Sequence, residues 1–204
     1  MSVHIKVDAV DQGIARMQRS LDALGGKAAA QAIARALNRS LQAARTEASR
    51  QARQAYTAPR AKLFDSISVS RATQSALEGV LEVLGVPGVS LIHFQARPNK
   101  PQPPKARPRQ GVTARVKRTG TRRVYMGREG GSKPFIMRKK QGGYGVFVRH
   151  RGNKFEMLFG PSPVQALQRQ DTQEKIMDRV AEVFEPRLRH EIDVLLAGIA
   201  GGRS

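Results

Sequence analysis

KAAAQAIARALNRSLQAARTEASRQARQAY, Lys27 to Tyr56, runs for thirty residues without a glycine or a proline and is rich in alanine. On propensity it is a helix, and at the usual rise it makes a rod about 45 Å long. One face carries Ile33, Leu37, Leu41, Ala44, Ala48, Ala52 and Ala55, with Arg35, Arg39, Arg45, Arg50 and Arg53 spread around the rest. The first half of this face has apolar bulk and the second half is alanine. An alanine face permits close approach, which leaves two readings. Either the helix lies across its own sheet, or Ala44, Ala48, Ala52 and Ala55 pack against a second subunit.

On the N-terminal side, Val3 to Val7 alternates with the period of a strand, and Val7, Val10, Ile14, Met17, Leu21 and Leu24 follow at helical spacing up to Gly25 and Gly26. On the C-terminal side, Pro59 opens a second short helix with Leu63 and Phe64 facing the core, and Phe64 is expected to be buried. Ile67 to Ser70 and Leu77 to Leu84 read as strands around the polar turn Thr73 to Ser75, broken off by Gly85, Pro87 and Gly88. Pro134 to Met137, Tyr144 to Val148 and Phe155 to Phe159, punctuated by Gly142-Gly143 and Arg151-Gly152-Asn153, have the spacing of a hairpin followed by a third antiparallel strand. Phe135, Tyr144, Phe147, Phe155 and Phe159 place most of the expected aromatic core there.

Asp171 and Glu174 have capping-box spacing ahead of a helical stripe of Ile176, Val180, Val183, Phe184, Leu188, Ile192, Leu195 and Ile199. Pro186 falls inside that stripe and is expected to bend the helix. The class is therefore α+β: an antiparallel sheet packed with a long helix in the N-terminal half and a bent C-terminal helix. At 204 residues the chain reads as a single domain over 1–204.

Charge is concentrated. Arg97 to Lys154 holds 18 of the 36 Lys and Arg residues and one acid, Glu129, and so carries +17 of the formal +20. Pro98, Pro101, Pro103, Pro104 and Pro108 favour extended chain at its start. Val112 to Lys117 alternates apolar and basic residues, and Val124 to Met126 is the returning arm of a ribbon that would be poorly stable alone. Residues 97–130 thus read as a basic, proline-rich arm or hairpin inserted in the domain. Its candidate contact residues are Arg107, Arg109, Arg115, Lys117, Arg118, Arg122, Arg123 and Arg128. The partner is DNA or an acidic protein surface. Only Tyr125 within the ribbon is available to stack a base, so contact with phosphates is the expected mode, and that mode reads no sequence.

Other classes of function find little support. There is no cysteine, and His4, His93, His150 and His190 are scattered without metal-ligand spacing. Acids are scarce where a nuclease would hold its metal, and GREGGSK, Gly127 to Lys133, reads as a glycine turn rather than a phosphate loop. No catalytic site, cofactor, metal or small-molecule substrate is expected. The N-terminus has no apolar run of signal-peptide length and no window is long enough to span a membrane, so the chain is expected to be cytosolic when made, with no membrane partner.

The order of elements resembles the minor tail protein Z family of long-tailed bacteriophages and, more distantly, phage tail-completion proteins. The residues that carry the resemblance are the N-terminal strand and helix, then KAAAQAIARALNRSLQAARTEASRQ leading to PRAKLFDSISVSRAT. After a basic insertion come KPFIMRKKQGGYGVFVRHRGNK, PSPV at Pro161 to Val164, and a closing helix ending RLRHEIDVLLAG. The resemblance implies a structural virion protein at the head-proximal end of the tail, which completes the tail and assists head–tail joining and placement of the DNA end. It implies tail-terminator and neck or connector proteins as partners, and a virion location reached from the host cytoplasm during assembly. A hexameric ring is the expectation by analogy with six-fold tails. The competing reading is a cellular protein that binds nucleic acid without sequence preference.

Overall fold

A computed structural model of the chain describes residues 2–8, 14–15, 17–84, 88–126 and 132–201. Its elements are β1 (Ser2–Asp8), α1 (Gln18–Leu24), α2 (Gly26–Ala55), α3 (Arg60–Asp65), β2 (Ile67–Ser70), β3 (Glu78–Leu84), β4 (Thr113–Ala114), β5 (Arg123–Val124), β6 (Phe135–Arg138), β7 (Tyr144–Arg149), β8 (Phe155–Met157), α4 (Val164–Leu167) and α5 (Gln170–Gly201). Helices and antiparallel sheets together make the fold α+β. Where the sequence suggests one domain, the chain divides into two compact units. One comprises Ser49–Ser66 and Leu84–Ala166; the other comprises Ser2–Ala48, Ile67–Val83 and the chain from Leu167 through α5. Helix α2 contributes to both.

The unit containing β1 and α5 has a three-stranded sheet in the order β1-β3-β2, with β2 and β3 antiparallel and Ile67 opposite Val83. Ile67, Leu81 and Val83 are buried there with Val3 and Ile5 from β1. From the helices come Ile33, Leu37 and Leu41 of α2 and Ile176, Val180, Phe184, Leu188 and Ile192 of α5, also buried. The stripe on α5 ends there: Ile199 is exposed, and Pro186 sits inside the helix on an exposed position. Gly79 is where Leu41 reaches the sheet, since a Cβ on Gly79 would overlap the Leu41 side chain. Asn38 holds the loop after β2 by donating to the Ala72 carbonyl and accepting from its N–H, both at 2.9 Å. Glu191 is buried between Arg35 at 3.3 Å and Arg187 at 2.5 Å. Its charge is therefore paired rather than stranded.

The other unit packs the last turns of α2 and α3 with the sheet β6-β7-β8 and the two-stranded ribbon β4-β5. Its core gathers Tyr56, Leu63, Phe94, Val112, Ala114, Val116, Ile136, Val146, Val148 and Leu158. Phe94 is fully buried and meets Tyr56 edge to face, with centroids 6.4 Å apart. Burial of such a side chain contributes about 1.5–3 kcal/mol. The segment before Phe94 is fastened to the end of the sheet by Leu91 N–H to Leu158 O at 3.0 Å and Gly160 N–H to Val89 O at 2.8 Å.

Three expectations are corrected here. Residues 97–126 are not a free arm, because Val112, Ala114 and Val116 project from one face into the core and Arg97 exchanges backbone hydrogen bonds with Thr113 at 2.8 and 2.9 Å. The predicted aromatic core is displaced: Tyr144, Phe155 and Phe159 are 40%, 51% and 43% exposed, and Phe135 and Phe147 are half-buried. Strand parity explains most of this. On β6 and β7 the inward positions are Ile136, Val146 and Val148, which leaves Phe135 and Phe147, opposite one another, on the outer face. Phe64 is likewise half-buried rather than buried.

Backbone packing yields a paired prediction. A Cβ on Gly88 would run into the Gly160 carbonyl, and backbone cannot step aside as a side chain can. Gly88→Ala is expected to destabilise by about 1–3 kcal/mol. Gly198 lies on α5 with nothing near its Cβ position, so Gly198→Ala is expected to stabilise by about 0.5–1 kcal/mol. Urea denaturation of the two variants beside the wild type checks both signs.

Candidate polyanion interface

A helix ends with carbonyls that have no partner inside it, and at the end of α2 the basic segment supplies the partners. Arg118 donates from Nε to the Arg53 carbonyl at 2.6 Å and from its backbone N–H to the Ala55 carbonyl at 3.1 Å. A cation there also lies favourably on the negative end of the helix dipole. Tyr56 bridges to Lys117, the Thr57 N–H donates to the Val116 carbonyl at 2.9 Å, and the Thr57 hydroxyl donates to the Arg115 carbonyl. The chain from Arg115 to Arg118 is thereby tied to the helix terminus.

Arg122, beside β5, donates from Nη1 to the carbonyls of Gln95 at 2.6 Å and Thr113 at 3.3 Å. Gln95 holds a left-handed conformation, φ 52°, which is unusual for a residue with a side chain. Burial, followed by the Arg97 and Arg115 guanidiniums, holds Arg122 below the ordinary arginine range. The Nε of Arg115 is buried without a partner. Arg107 donates to the Gln102 carbonyl at 3.2 Å, and Arg123 donates to the Thr121 hydroxyl at 3.4 Å. Arg109 and Lys117 are exposed. Among the described residues no carboxylate pairs with any of these cations. Carbonyls aim a guanidinium without cancelling its charge, so the surface is ordered and still fully positive.

Of the sequence-predicted contacts, Arg107, Arg109, Arg115, Lys117, Arg118, Arg122 and Arg123 thus belong to one folded unit. Arg118 and Arg122 are structural ties as well as charges. Arg128 lies outside the described residues. The alanine positions separate differently: Ala44, Ala48 and Ala52 are buried within the single chain, and Ala55 alone is exposed. The first three face their own chain and are not free for a second subunit, because a methyl group lets neighbouring elements approach the helix closely.

A second feature lies on the outer face of β6-β7-β8, and the sequence reading does not anticipate it. Phe135 opposes Phe147 on β7 and Arg149 opposes Phe155 on β8, so Phe135 and Phe155 sit diagonally across the central strand. Their rings meet edge to face, 6.1 Å apart at 78°, and Arg107 stands 5.6 Å from the Phe135 ring centroid. Lys133 and Arg149 complete a groove of about 500 Å³ with Pro108 and Pro134 in its walls. The signal available in the sequence is the odd-numbered parity shared by Phe135, Phe147 and Phe155.

Comparison with protein-family models, with curated proteins and with solved structures finds no match. Among the described residues there is no group of three or more His, Asp and Glu side chains that could hold a metal ion, and no helix is long and apolar enough to cross a membrane.

The electrostatics of this unit can be tested at two positions. Arg118→Ala removes the cap on α2 and is expected to destabilise by about 1 kcal/mol, read by chemical denaturation, whereas Lys117→Ala should stay within about 0.5 kcal/mol. Burial, then Lys62 and Lys139, lowers the His93 pKa, so the unfolded chain takes up that proton first as pH falls. Stability from this group is full above about pH 6.5 and declines below it until the folded value is passed. His93→Gln should flatten that part of a stability–pH profile.

Proposed function

We propose that this chain is a structural virion protein of the tail-completion kind, set at the head-proximal end of a phage tail, where its basic ribbon holds the phosphate backbone of the DNA end. The observation that carries the reading is the gathering of Arg97 and Arg115 around Arg122, whose charge is disfavoured by burial and then by those two guanidiniums, with no carboxylate paired with them among the described residues. Cations held together in this way are relieved by a polyanion. Arg109, Lys117 and Arg123 are exposed on the same compact unit. The resemblance in element order supplies the biological setting, with tail-terminator and neck or connector proteins as neighbours. A homo-oligomeric ring, six-fold by analogy, would repeat the weak contact around the DNA and raise its avidity. Ala55 is the only one of the four alanine positions exposed for such packing.

Duplex binding measured across a salt series tests the contact. Affinity is expected to fall steeply, with a slope of about −0.9 for each phosphate neutralised and no preference among sequences. Changing Arg109, Arg115, Lys117 and Arg123 to glutamine, while leaving Arg118 and Arg122 to hold the fold, should flatten the slope by about one unit for each phosphate no longer neutralised. An unchanged slope removes the ribbon from DNA contact. The setting is tested by deleting the gene: complete heads and unjoined tails are expected by electron microscopy, and normal particles would overturn it.

A further inference from the structure

We infer that the groove on the outer face of β6-β7-β8 receives a nucleobase and its phosphate from a single-stranded nucleic acid. This goes beyond backbone contact with a duplex and uses side chains other than the ribbon's. Phe155 leaves 51% of itself in water on a sheet whose other face is well packed, and an edge-to-face pair cannot close both ring faces against each other. Arg107 already lies over Phe135, so the open platform is Phe155. Around it stand Arg107, Lys133 and Arg149, with no carboxylate among the described residues of the lining. Arg107 donates its Nε to Gln102, and among the described residues the terminal nitrogens of its fork have no hydrogen-bond acceptor.

A flat π-face and a cluster of cations within one groove of about 500 Å³ match the two halves of a nucleotide. A duplex keeps its base faces inside the stack, so the platform is usable only by a single strand. Carboxylates of an acidic protein would pair with Arg107 and Lys133, yet they would leave the Phe155 ring in water. A base covers it.

The experiment uses the full chain and fluorescence anisotropy with a labelled oligothymidylate, an abasic oligomer of equal length, and a duplex. The oligothymidylate is expected to bind about five-fold tighter or more than the abasic oligomer, the low end for one aromatic platform. Phe155→Ala should abolish that difference and leave duplex binding unchanged. The chain has no tryptophan, so Phe155→Trp reports directly: its fluorescence should be quenched by oligothymidylate and not by the abasic oligomer. Equal binding of the two oligomers by the wild type, or no quenching, would overturn the inference. Displacement of oligothymidylate by polyglutamate at equal charge would also overturn it and assign the groove to an acidic protein. Loss of duplex binding with base-dependent binding retained would remove the ribbon reading and leave this one standing.

Discussion

The seam between the end of α2 and the chain from Arg115 to Arg118 is the constraint on which the basic surface depends. A thirty-residue helix, Gly26–Ala55, presents its last carbonyls at one point, and each needs a donor or water. The backbone N–H and guanidinium of Arg118 supply two donors there, and Thr57 continues the seam with Val116 and Arg115. Val112, Ala114 and Val116 then alternate inward into the core, while Arg115 stays half-buried and Lys117 is exposed. A ribbon of two-residue strands would not hold itself together in water. Here the helix end and the core under Phe94 hold it.

That arrangement changes what the charge density means. A flexible arm would spread its cations and let salt screen them over about 8–10 Å. A pinned surface keeps them close, and the effect is visible in Arg122, which is disfavoured by burial and by Arg97 and Arg115. The fold tolerates this because the guanidiniums are bonded to carbonyls of Arg53, Gln95, Gln102 and Thr113. Each such bond satisfies a donor and orients it, and none removes a positive charge. The contrast is Glu191, which is buried with Arg35 and Arg187 on either side. There the charges are spent on the fold.

How much of this is legible in the sequence depends on the range of the signal. The long helix, the β2-β3 pair, the β6-β7-β8 meander and the C-terminal helix are readable because periodicity and glycine punctuation are local. The division into two units is not, since it follows from which distant segments share a core. For the same reason Ala44, Ala48 and Ala52 can be seen as a close-packing face without revealing what packs on it. The basic stretch is legible as composition, yet composition makes it look like a free arm. Its charge dominates the reading, while Val112, Ala114 and Val116 carry the contradictory evidence that it has an inward face.

The aromatic residues of the meander show why burial cannot be assigned from hydrophobicity alone. Either parity of these strands would have made an apolar face: Ile136, Val146 and Val148 on one, Phe135, Phe147 and Phe155 on the other. The smaller branched residues lie under the core, and the larger rings lie outside. Packing the rings inside would have demanded more volume beside Phe94 and Tyr56 and left Arg149, of the same parity as Phe147, pointing into apolar surroundings. Each parity also carries one cation at a strand end: Arg149 is exposed on the outer face, and Arg138, on the inward parity, is exposed at the end of β6. Arg149 places a cation beside the exposed rings, so the aromatic and cationic parts of the groove arise together from one choice of parity.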